Sequence, residues 1–110
     1  MEMKRGDLVT VALHGDYGKP RPALVNRSDS FNWMGAVSVL PLTSTIAENY
    51  DIRPTIYPNP ENGLRIASQV SVDKPMTVNV NRVGAVIGQI GKEDMLVVES
   101  FLALYLGFSA

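Results

Sequence analysis

The sequence predicts a mainly β fold closed by a single helix at its C-terminal end. Three observations carry this expectation. Short apolar segments recur between residues 6 and 90, each bounded by Gly, Pro or Asn punctuation. Over residues 92–108 the apolar spacing becomes helical. The strands come first and the helix last, which points away from βαβ units and a parallel sheet. A small curved sheet or barrel in one domain, residues 1–110, satisfies all three.

Each element has its own reason. GDLVTVAL (6–13) is rich in Leu and Val and alternates in part, as a strand does. HGDYGKP (14–20) is a loop by its Gly and Pro content. RPALVNR (21–27) is a second strand, with Pro22 near its start, where a ladder donor is not needed. SDSFNWMG (28–35) is a turn, and AVSVLPLT (36–43) is apolar enough for a strand buried on both faces. Pro41 is expected at the end of that strand or on an edge. STIAENYD (44–51) is a loop, IRPTIYP (52–58) a fourth strand, and NPENGL (59–64) a turn whose Asn62-Gly63 suits positive φ. SQVSVDKPMTVNV (68–80) is a strand bent or broken at Lys74-Pro75. VGAVIGQI (83–90) is the last, with glycines that permit curvature.

The helix, 92–108, opens with Glu93 and Asp94, which favour the positive end of the helix dipole, and stops near Gly107. Met95, Val98, Leu102 and Leu106 form one apolar face, and Val97, Phe101, Leu104 and Phe108 a second. Two such faces exceed what one sheet covers, so a second subunit is expected on the surplus.

Composition narrows the function. The net charge of −1 argues against a protein that coats nucleic acid without specificity, but leaves room for a local basic site. With no cysteine and one histidine, disulfides, thiolate metal sites and a histidine zinc site are excluded, and no cofactor is expected. No stretch approaches the roughly 20 apolar residues of a membrane span, and MEMKRGDLV has no apolar leader, so the cytoplasm is the expected location.

Several strings, taken in order, carry a family likeness: RGD (5–7), RPALV (21–25), PLTS (41–44), SQV (68–70) and the late IGQI (87–90). Together they resemble the MazF/PemK family of toxin–antitoxin endoribonucleases, from Lys4 to about Phe108. The resemblance implies an SH3-like β-barrel of the CcdB/PemK type, a homodimer, a cognate antitoxin, and cleavage of single-stranded mRNA at short recognition sequences. It also implies that Arg21, the arginine of the R-P motif, and Thr43, the threonine of the P-x-T motif, act at the scissile phosphate.

Chemistry supports the same pair. Attack by the neighbouring 2′-hydroxyl needs a base, charge stabilisation and an acid, and in principle no metal. A guanidinium meets a phosphate with two parallel hydrogen bonds, and a threonine hydroxyl donates one more. Arginine stays charged, so the base is sought among His14, Asp16 and Asp73. Lys19, Arg27, Arg53 and Arg65 are candidate RNA contacts, and Tyr17, Phe31 and Trp33 candidate stacking groups. Plainer readings stand beside these. Arg21 pairs with Asp7 or Asp16 at the strand entrance; Thr43 bonds its own backbone; His14 is a solvated loop residue; Asp73 fixes the Lys74-Pro75 bend. Two other functions fit the fold: a CcdB-like gyrase poison, and an inactive module that binds RNA or a partner. The gyrase poison depends on a terminal helix ending in Trp and Gly, whereas this chain ends LGFSA.

Overall fold

The computed structural model describes residues 2–12, 19–47 and 52–109. Its strands are β1 (Asp7–Ala12), β2 (Pro20–Val25), β3 (Ala36–Thr43), β4 (Thr55–Ile56), β5 (Ser68–Val70), β6 (Met76–Asn79) and β7 (Val83–Gln89). One helix, α1 (Lys92–Leu106), follows them. The sheet runs β4-β5-β3-β2-β1-β7, with β6 also paired to β3. Every strand pair is antiparallel. The result is a curled sheet with one C-terminal helix, as expected.

Alternation builds two cores from the same strands. Val9, Val11, Ala23, Val25, Val37 and Val39 form one cluster. Their neighbours Leu8, Leu24, Leu40 and Leu42 form the other, with Ile56, Val70 and Val72. Helix α1 covers this second layer through the buried Val98, flanked by Met95, Phe101 and Leu102. β3 is thus buried on both faces, which is why its sequence lacks a clear polar stripe. Between β1 and β7 the register slips at Leu8/Val9 and again at Val9/Val11. Such bulges bend a strand and tighten its twist, and here they help curl the sheet.

Four expectations change. Pro41 lies inside β3, where the strand exchanges partners: Val39 pairs with Met76 of β6, and Leu42 with Val70 of β5. At that junction no ladder N–H is needed, while the Pro41 carbonyl accepts from Ser71 N–H at 2.8 Å. The fourth strand shrinks to Thr55–Ile56, flanked by Pro54 and Pro58. The bend in 68–80 begins earlier than Lys74-Pro75, because a turn closed by Lys74 N–H on Ser71 O already separates β5 from β6. On the helix, Phe101 turns inward and Leu106 outward, since 95, 98, 101 and 102 share one helical face. The 14–20 loop falls largely, and 44–51 partly, outside the described residues.

Candidate active site

Three adjacent strands bring distant residues level. In β2, Arg21 is the register partner of Val11, and Ala23 that of Pro41. Arg21 lies two residues before Ala23, and Thr43 two residues after Pro41. Both line a cleft of about 540 Å³. Thr10, Ser44, Thr45, Arg65 and Ser68 line it too, with Leu64, Ile66 and Ile87 as an apolar wall. Two guanidiniums and five hydroxyls therefore meet in one space. In a chain of net charge −1 the two guanidiniums concentrate positive charge locally. Arginines and hydroxyls are all donors, as phosphate oxygens require.

The hydroxyl edge is built by short local bonds. Thr43 Oγ1 accepts from Thr45 N–H at 3.1 Å, so its own proton remains available for donation. Beyond it the chain returns over β5. There Gln69, 4% exposed, holds Ala47 at both backbone groups: Oε1 accepts from Ala47 N–H at 3.0 Å, and Nε2 donates to Ala47 O at 3.2 Å.

The opposite wall comes from the 57–66 segment. Asn62 is fully buried. Its Oδ1 accepts from the N–H groups of Asn59 (3.2 Å) and Leu64 (3.0 Å), and its Nδ2 donates to Tyr57 O at 2.9 Å. Gly63 has φ +70°, and a Cβ there would lie 2.0 Å from the Ile87 carbonyl oxygen. The turn thus rests directly on β7 and fixes where Leu64 and Arg65 begin.

The predicted site residues separate into three groups. Arg21, Thr43 and Arg65 share the cleft, and exposed Lys19 immediately precedes the lining residue Pro20. His14, Asp16 and Tyr17 lie outside the described residues. Arg27 and Arg53, expected along an RNA groove, are engaged in the fold instead. Arg27 donates to Met3 O at 3.0 Å and pairs with Asp29 at 3.4 Å. Arg53 grips Asp73 with two bonds, Nε to Oδ1 at 2.9 Å and Nη2 to Oδ2 at 3.0 Å. Hydrogen bonding from Arg53 holds the Asp73 carboxyl below the usual aspartate range despite its burial. A carboxylate so stabilised is a poor proton acceptor, which counts against Asp73 as the base.

Phe31 and Trp33 project from the short 3₁₀ turn Asp29–Phe31 and the residues after it, with Trp33 75% exposed, and neither lines the cleft. Asp7 is buried, accepting from Lys4 N–H at 2.9 Å and Gln89 Nε2 at 3.1 Å. The sequence reading missed Thr10, Ser44, Thr45, Ser68 and the supporting Gln69. The run TST (43–45) at the end of an apolar strand was the one available signal. Among the described residues no three of His, Cys, Asp and Glu gather as metal ligands.

Known proteins match this fold along its whole length. The family model for PemK-like, MazF-like toxins of type II toxin–antitoxin systems matches residues 4–106. A probable endoribonuclease MazF of Mycolicibacterium smegmatis is 34% identical over 97% of this chain and 99% of its own. A mycobacterial endoribonuclease solved with its cognate antitoxin superposes with a TM-score of 0.83, at 19% identity over 98% of each chain. The MazE–MazF complex of Deinococcus radiodurans gives 0.80, at 24% identity over 99% of each chain.

Proposed function

We propose, from the premise that this chain belongs to the PemK-like, MazF-like toxin family of type II toxin–antitoxin systems, that it is an endoribonuclease of single-stranded mRNA. It cuts in the cytoplasm at short recognition sequences, needs no metal, and is silenced by a cognate antitoxin. The observation that carries this reading is the cleft that Arg21, Arg65 and Thr43 line together.

Charge and donors there suit a phosphodiester. The 2′-oxygen attacks phosphorus, the bond to the 5′-oxygen breaks, and the 5′-oxygen leaves as a hydroxyl after gaining a proton. The phosphate ends as a 2′,3′-cyclic ester. Arg21 binds the phosphate oxygens side-on and stabilises the charge of the phosphorane. The Thr43 hydroxyl adds a donor, because it accepts from Thr45 N–H and its own proton is not used in that bond. Arg65 extends the positive lining along the strand, with Lys19 at the mouth. The base that takes the 2′-hydroxyl proton is sought in His14 and Asp16, since Arg53 engages both oxygens of Asp73.

Two further features support a regulated dimer. Val97, Leu104, Tyr105 and Leu106 of the C-terminal helix, with Phe108 just beyond it, leave an apolar strip exposed. A two-fold partner would cover it with the same strip. The relatives solved with antitoxins share this fold, and an acidic antitoxin segment fits a cationic cleft by charge.

The deciding experiment incubates the pure protein with a long RNA in excess EDTA and maps the cut ends. Cuts at a short shared sequence with 5′-hydroxyl ends are expected, and RNA methylated at the 2′-oxygen should survive. Ends bearing a 5′-phosphate would overturn the mechanism. No cleavage of any RNA would overturn the activity.

A further inference from the structure

Residues 44–47 leave β3 without a strand to pair with. Among the described residues, three hydrogen bonds hold this stretch: Thr45 N–H to Thr43 Oγ1, and the two between Gln69 and Ala47. The Gln69 amide thus supplies Ala47 with one donor and one acceptor, as a neighbouring strand would. Its backbone stands in register between Thr43 of β3 and Thr55 of β4, so the anchor is part of the sheet itself. Thr43 is fixed by the β3–β5 ladder at one end and Ala47 by Gln69 at the other. The arch between them carries Thr43, Ser44 and Thr45 into the cleft.

We propose that Gln69 is a positioning residue: its clamp on Ala47 sets the arch of hydroxyls that meets the transferring phosphate. It touches no substrate. The proposal rests on the endoribonuclease reading above, because positioning has meaning only where the arch acts. A buried glutamine that merely satisfies its own amide would affect stability alone. One that sets the arch affects the chemical step, since a donor displaced by about 1 Å lowers turnover about 100-fold.

The test compares the parent protein with Gln69→Met, which keeps the length and apolar stem of the side chain but neither hydrogen bond. Single-turnover cleavage of a short RNA containing the mapped site is measured well below both melting temperatures. A fall in kcat of about 10- to 100-fold with KM changed less than about threefold is expected. Ala47→Pro, which removes the N–H from the other end, should give the same split and decides the matter if Gln69→Met does not fold. In the folded parent, the Ala47 amide should exchange with solvent as slowly as the amides of β5. A parent that cuts RNA while folded variants keep its kcat, a loss confined to KM, or an Ala47 amide exchanging at the open-chain rate would each overturn the clamp. A parent that cuts no RNA would instead overturn the endoribonuclease reading on which it depends.

Discussion

Thr43 accepts one hydrogen bond and still has a proton to give, while Arg21 beside it is exposed and carries a fixed charge. In the mechanism proposed, both meet the phosphate. Arg21→Ala should lower cleavage by 100-fold or more, since one such donor is worth about 3 kcal/mol at the transition state. Thr43→Val should lower it less. Melting temperatures of both should stay close to the parent's, and an Arg21→Ala protein that cut at the parental rate would remove Arg21 from the site. Arg53 and Asp73 behave in the opposite way. Their side chains are only 9% and 15% exposed, so the pair belongs to the folded state. Asp73 is held below its ordinary range when folded, and an unfolded aspartate titrates near 3.9. The stabilisation is therefore complete above about pH 4 and fades as pH falls through the folded value. Asp73→Asn should cost about 1.5–3 kcal/mol at pH 7, the worth of hydrogen bonds to a charge. In denaturant titrations that gap should narrow at pH 3, and a gap of constant size would refute the linkage.

At the scale of the element, the 59–64 turn shows how much a single missing side chain determines. Gly63 combines φ +70° with a carbonyl 2.0 Å from where a Cβ would stand, and Gly88 opposite would bring a Cβ within 2.4 Å of Asn62. Gly63→Ala should cost more than the roughly 1–3 kcal/mol of the backbone strain alone and should loosen Leu64 and Arg65 at the cleft. Gly35→Ala, where nothing lies within 4 Å, should be near neutral by thermal melting. Equal losses at both positions would mean that the turn does not rest on β7. Asn62-Gly63 was legible in the sequence because positive φ leaves a compositional trace. The strands were legible from their apolar runs, and Arg21 and Thr43 from their motifs. Other features had no local trace. Pro41 sits mid-strand because β3 changes partners there, a fact of topology. Arg27, Arg53, Arg65 and Lys19 read alike as scattered cations, and only the packing separates the two that hold the fold from the one inside the cleft. Gln69 binds a residue far away in sequence, and no spacing announces such a bond.

The whole molecule has more apolar helix than its own sheet can cover. Helix α1 sends Met95, Val98, Phe101 and Leu102 toward the second core, while Leu104 stays 45% exposed and Phe108, just beyond the helix, 83% exposed. The two sets make different demands, so one substitution in each separates folding from assembly. Phe101→Asp places a charge among Leu40, Val70 and the other residues of that core, where an unpaired carboxylate is strongly unfavourable. It should abolish the cooperative unfolding transition or lower its midpoint steeply. Leu104→Asp places the same charge on the outer face, where water already reaches it. The monomer should keep the parental circular dichroism, because the core is untouched. In a two-fold contact each strip meets its own copy, so every Leu104→Asp dimer carries the charge on both partners. Sedimentation should show the parent as a dimer at micromolar concentration and Leu104→Asp as a folded monomer. RNA cleavage by that monomer should fall, because one cleft alone offers half the cationic surface that a strand crossing two subunits would meet. If Leu104→Asp sedimented as the parent does, the exposed strip would not be the dimer contact; if it were monomeric and fully active, the cleft would work without a partner.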